Sequence, residues 1–194
     1  VLFRSGYSSV LLWRSMPSRC IGALRSNHSL LHHKQVTILD IYFSRILVET
    51  LAVTISFAAL GLGLCLSGVL DPPEDVMQVL GGWLLLGWFG AGLGLIIAGL
   101  SEKVTVVSNL WPPFSYLLFP LSGTAFIVDA FPSSMQHVVL YLPMLNGVEF
   151  LREGWFGSAM RAHYDIAYTV MCNLALVFFG LSLVRQIGID TSAE

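Results

Sequence analysis

The chain has 194 residues, of which 55 % are hydrophobic and 11 % charged, with a formal net charge of −2 and a mean hydropathy of +0.74. Soluble domains carry about 25 % charged residues, so this composition excludes a water-covered globule and requires lipid in place of much of the solvent. No basic excess points to nucleic acid, and Cys20, Cys65 and Cys172 form neither a disulfide framework nor a CxxC metal motif.

In chain order, residues 1–5 read as adapter-derived sequence in front of a truncated gene product, and residues 6–13 as the tail of a span whose beginning is missing. A basic connection follows over residues 15–40, where Ile21, Leu24, His28 and Leu31 recur at helical spacing with Arg19, Arg25 and Asn27 between them. Crossing a hydrocarbon core of about 30 Å takes about 20 mostly apolar helical residues. Residues 50–70, 76–100, 104–128 and 166–184 are uncharged and long enough, the third interrupted by Pro112, Pro113 and Pro120. The expected fold is therefore all-α and integral to the membrane, with four complete transmembrane helices plus a partial one. These form a single transmembrane domain over residues 6–188, ahead of a cytoplasmic tail, 189–194.

Cations orient the spans. Arg14, Arg19, Arg25, Lys34 and Arg45 surround the first connection, Lys103 lies in the third, and Arg185 follows the last span, which places all of them on the cytoplasmic side. The acidic turn Asp71, Glu74, Asp75 and the segment 129–165 then face outward. That segment is too charged to span and too apolar for a solvated loop, so short re-entrant helices in the outer leaflet are expected. Glycines crowd the second complete span, and Gly90 and Gly94 form a GxxxG step that serves packing within one subunit or a dimer face.

The chemistry is sparse. No GxxxxGK[ST] phosphate loop is present, so an ATPase site of its own is excluded. His28 and His32, with His33, have the i, i+4 spacing of metal ligands but no Cys or carboxylate beside them, and a solvated or partner-facing surface is the better reading. Glu149, Arg152 and Glu153 stand at i, i+3, i+4, a spacing that serves a local ion pair or an acid/base site. Arg45 and Glu49 are expected to pair across one helical turn. The four apolar runs hold no ionisable residue, which disfavours a proton-coupled transporter. Trp111, Phe114, Tyr116, Phe119 and Phe126 either anchor the proline-broken span at the interface or line an aromatic passage on which sugar rings could glide.

Two motifs carry a family resemblance. The run RCIGALRSNHSLLHHKQVTILD from Arg19 to Asp40, followed by Ser44-Arg45 and Glu49-Thr50-Leu51, resembles the first cytoplasmic loop of ABC-2 type permeases. LPMLNGVEFLREG, from Leu142 to Gly154, resembles the outward segment of their capsular-polysaccharide and O-antigen exporters. Gln35 departs from the Pro frequent in that loop. The resemblance spans residues 6 to 185 and implies a permease subunit that moves a capsular or lipid-linked polysaccharide across the bacterial inner membrane. It further implies a homodimer with separate ABC ATPase subunits that bind the ATP, no cofactor or metal of its own, and periplasmic export proteins as further partners. Arg19, Arg25, Asn27, Leu31 and Lys34 would belong to the ATPase-coupling segment. Trp111, Phe114, Tyr116 and Phe119 would face the substrate path, and Pro143, Glu149, Arg152 and Glu153 the re-entrant outer segment. Measured against the family, the chain would lack an N-terminal amphipathic helix, the first span and part of the second. Two alternatives stay open: an ABC-2 permease for another cargo, such as a teichoic acid or a small lipophilic compound, and a membrane enzyme acting on lipid-linked sugars.

Overall fold

A computed structural model describes residues 2–27, 36–123, 128–130, 132–157 and 162–192. Among these every regular element is helical. In order they are α1 (Leu2–Cys20), α2 (Ala23–Ser26), α3 (Ile38–Leu66), α4 (Val76–Lys103), α5 (Thr105–Leu121), a 3₁₀ turn (Val128–Ala130), α6 (Ser133–Leu140), α7 (Pro143–Phe156) and α8 (Ile166–Ser192).

Among the described residues three helices are long and apolar enough to cross a membrane: α3, α4 and residues Ile166–Gly188 of α8. The third expected span is a shorter helix. α5 has 17 residues, contains all three prolines, and gives way to Ser122 and to Gly123 at φ 80°. Each interior proline removes one backbone donor from the helical ladder and crowds the carbonyl four residues back. At the other end, α1 does not stop at Trp13 but continues through Arg14 and Pro17 to Cys20, so the start of the basic connection prolongs the first helix. α8 likewise runs past residue 188 to Ser192.

Helix α4 is the axis of the bundle, and its glycines explain how. A side chain at Gly90 would meet the Cα of Trp13, and one at Gly94 the backbone of Met16 and Pro17, so these two glycines admit α1. Gly92 and Gly99 admit α8 at Leu176 and Leu183, and Gly82 admits α7 at the backbone of Leu151. The GxxxG step therefore packs within the chain. Without a hydrophobic force between helices in lipid, close approach of this kind supplies much of the association. Half of the apolar window of α4 is buried, against 6 % in α3 and 17 % in α8. Leu47, Leu51, Ile55 and Leu62 of α3 and Phe178 of α8 point away from the protein, as lipid-facing residues must.

Helix ends are closed by their own sequence. Thr37 and Asp40 form a reciprocal capping box at the start of α3. Asp75 opens α4 by accepting from the amides of Met77 and Gln78 at 2.9 and 3.0 Å.

Candidate functional site: two charged ends and a path between them

At the end of the bundle that holds the acidic turn, Pro143 opens α7 in the first turn, where its missing amide donor is unneeded. α7 then lies back along α4: Gly154 meets Val79, Leu151 meets Gly82 and Gly147 meets Leu86. Two short helices, α6 and α7, thus occupy this segment, with α7 held on α4 itself. The amide of Asp75 donates to Gly154 O (2.9 Å) and Trp155 Nε1 to Asp71 O (3.3 Å), fastening α7 to the acidic turn. Phe57, Trp83 and Trp155 join α3, α4 and α7. Phe57 stacks on Trp83 at 4.2 Å and meets Trp155 edge-on at 5.8 Å.

Glu149 and Arg152 pair at 3.5 Å, with side-chain exposures of 0 % and 1 %. Burial pushes the Glu149 carboxyl above its ordinary range, opposed by the Arg152 charge and the nearby backbone of Val128 and His163. Burial likewise lowers the Arg152 guanidinium, and Glu149 opposes it. Glu153 faces elsewhere, accepting from Gln78 Nε2 (2.6 Å) and from the Tyr164 hydroxyl (2.7 Å). That bond is the main reason, ahead of burial, that the Tyr164 phenol is pushed up to about 12. The three charged residues are therefore divided between an internal ion pair and an interhelical bond, and the two carboxylates do not converge on one open acid/base site. Asn146 completes the region. Its Nδ2 donates to Leu140 O and Leu142 O, and its Oδ1 accepts from the amide of Asp165.

At the basic end, Arg19 in the last turn of α1 reaches Glu49 of α3 at 3.4 Å, so Glu49 pairs with Arg19 rather than with Arg45. Arg25 on α2 reaches Glu102 of α4 at 3.6 Å. Lys103 Nζ donates to Gln186 Oε1 at 2.6 Å, and Asn27 donates back to Ala23 O at 2.8 Å. The arginine side chains are 70 % and 66 % exposed while their carboxylates are largely covered. Residues scattered from 19 to 186 thus gather at one end of the bundle, opposite the acidic turn. Leu31, Lys34, His28, His32, His33 and Gln35 lie outside the described residues, as does Phe126.

Between the ends, the aromatics of α5 separate into two sets. Trp111 is buried, donating from Nε1 to Ser18 Oγ at 3.1 Å, and Phe119 is partly buried against the core. Phe114 and Tyr116 are exposed. Trp111, Phe114 and Leu117 line an apolar groove of about 410 Å³ with Ile97 of α4. Sequence reasoning missed Arg14, Gln78 and Tyr164. Arg14 is flanked by the apolar run Val10–Trp13 and by Met16 and Pro17, a signal that it lies within a buried helix.

A helical bundle whose long helices are apolar enough to cross a membrane, with one end basic and exposed and the other covered by α7, defines a multi-pass membrane protein. The chain belongs to the ABC-2 type transporter family, whose model it matches over residues 29–156. It is 36 % identical over 182 residues to the capsule polysaccharide export inner-membrane protein CtrC of Neisseria meningitidis serogroup A, covering 94 % of this chain and 69 % of that protein. The same identity and coverage relate it to BexB of Haemophilus influenzae, also a capsule polysaccharide export inner-membrane protein. The polysialic acid transport protein KpsM of Escherichia coli is 24 % identical, over 95 % of this chain and 72 % of its own length.

Proposed function

We propose that the chain is the inner-membrane permease subunit of an ATP-binding-cassette exporter that carries a capsular polysaccharide, with ATP hydrolysed by a separate partner subunit. The similarity to CtrC and BexB across 94 % of the chain carries this reading. The basic end supports an ATPase contact there, because Arg19 and Arg25 keep exposed guanidiniums anchored to covered carboxylates. A partner can pull on such arginines and transmit force through Glu49 to α3 and through Glu102 to α4. The permease acts as a homodimer, the exposed aromatics of α5 face the glycan, and the rigidly held α7 frames the outward exit.

Co-purification of the full-length protein with a candidate ABC ATPase tests the reading: hydrolysis should depend on the complex, and glycan export on both. Replacing Arg25 and Asn27 together should uncouple hydrolysis from export while leaving membrane insertion intact. Unchanged export in that variant would remove the coupling role from this segment.

A further inference from the structure

Arg14 differs in its surroundings from Arg19, Arg25 and Arg152. α1 carries it to the face of α5, where its Nε donates to Ser115 Oγ at 3.3 Å and its guanidinium carbon sits 3.8 Å from the centre of the Tyr116 ring. Ser115 is ten residues beyond Thr105, the first residue of α5, which at 1.5 Å per residue is about 15 Å along the helix. The adjacent Trp13 packs on Gly90, near the middle of α4. Both neighbours place the guanidinium well inside the bundle rather than at its basic end.

Arg19, Arg25 and Arg152 each face a carboxylate. Among the described residues no carboxylate lies within ion-pairing distance of Arg14, and its only hydrogen bond there leaves from Nε. A guanidinium has five N–H donors, so the four on its terminal nitrogens remain open. A charge at membrane depth is costly and marks a functional site by default, facing a cavity or a path. A serine hydroxyl and a tyrosine ring offset that cost only in part. The ring under the guanidinium is itself 65 % exposed, and Phe114 beside it 53 %.

We propose that Arg14 and Tyr116 form a gripping point inside the membrane for an acidic polysaccharide. The oxyanion of a sugar unit would take the open guanidinium fork, and the apolar face of the ring would lie on the exposed aromatics. Planar, bidentate recognition of an oxyanion is what arginine offers and lysine does not. One cation per subunit, already shared with Ser115 and Tyr116, holds a repeating acidic chain weakly enough for it to move on, as conduction requires. The proposal rests on the reading of the chain as a polysaccharide permease and adds the residues that would hold an acidic sugar unit.

The test uses the full-length protein with its ATPase in nanodiscs of zwitterionic phosphatidylcholine. The probes are fluorescent oligosialic acid and the same oligomer with its carboxylates reduced to alcohols. Wild type should bind the acidic oligomer about tenfold more tightly than the reduced one, the size of one charge-assisted contact. R14Q should bind both equally, and R14K should keep a preference of about threefold. Co-purification with the ATPase reports assembly; if R14Q fails to assemble, an undiminished preference in R14K overturns the proposal and a diminished one supports it. Equal binding of the two oligomers by wild type, or a full preference retained in R14Q, also overturns it. So does a preference that vanishes in nanodiscs containing phosphatidylglycerol, which would make Arg14 a lipid-headgroup contact. Any of these results alongside normal capsule export in cells leaves the permease reading standing. Loss of that reading would show separately, as unaltered capsule export when the gene is deleted.

Discussion

The two ends of the bundle use the same residue types in opposite ways. At the acidic-turn end, the outer one in the proposed arrangement, Glu149 and Arg152 are both buried, and α7 is tied to α4 and the acidic turn through Asp75, Gln78 and Trp155. At the basic end Arg19 and Arg25 are mostly exposed and only their carboxylates are covered. A buried pair is costly to form and far more costly to break, because the survivor is left as an uncompensated charge. An exposed pair contributes little and can be released and remade. The outer charges therefore hold one geometry, whereas the basic ones suit a contact that changes during a cycle.

The sharpest way to break this contrast is Glu149→Ala, which removes the carboxylate that faces the buried Arg152. Thermal unfolding of the purified full-length protein should show a loss of about 3–5 kcal/mol. The double variant Glu149→Leu with Arg152→Met should regain most of it, since matched apolar side chains carry no desolvation penalty. A double variant as unstable as the single one would mean that the pair's charge is not what matters.

Gly82→Ala comes next, because its new Cβ would lie 2.8 Å from the Cα of Leu151. Forcing α7 off α4 should cost about 1–3 kcal/mol, read as a shorter half-life at elevated temperature. The same change at Gly63, which has nothing within 4 Å, should leave that half-life unaltered.

Tyr164→Phe removes one bond to Glu153 and should cost about 1 kcal/mol. Its pH dependence has a definite sign. The phenol is raised from 10.0 to about 12 in the folded protein, so its contribution is fully present below pH 10. It disappears as pH rises through about 12, and the two proteins should converge there in alkaline unfolding curves.

The smallest effect on stability belongs to the basic end. Arg19→Gln or Arg25→Gln should change it by less than about 1 kcal/mol, while ATP-dependent export in cells falls severalfold. A large loss of stability would mean that this end is as fixed as the outer one.

Much of this architecture was legible along the chain. Uncharged runs around Thr54, Phe89 and Leu176 announce spans, and the helical spacing of Glu149 and Arg152 announces their pairing, because both signals are local. The length of α5 was less so: its prolines are visible, but where the helix ends depends on Gly123 and on what α7 offers beside it. Glu49 illustrates the limit most clearly. Its nearest cation in sequence at helical spacing is Arg45, yet the partner is Arg19, brought from another helix.

By itself the sequence determined the membrane setting and the absence of a phosphate loop. Each follows from composition or from residues only a few positions apart. The tertiary structure alone decided which helix each glycine of α4 admits, that Glu149 and Arg152 are sealed from solvent, and that Arg14 sits against Ser115 and Tyr116 rather than at the basic end. Those outcomes depend on distances between helices a hundred residues apart. In lipid that proximity is governed by close packing and by the pairing of polar groups, which hydrophobic periodicity does not record.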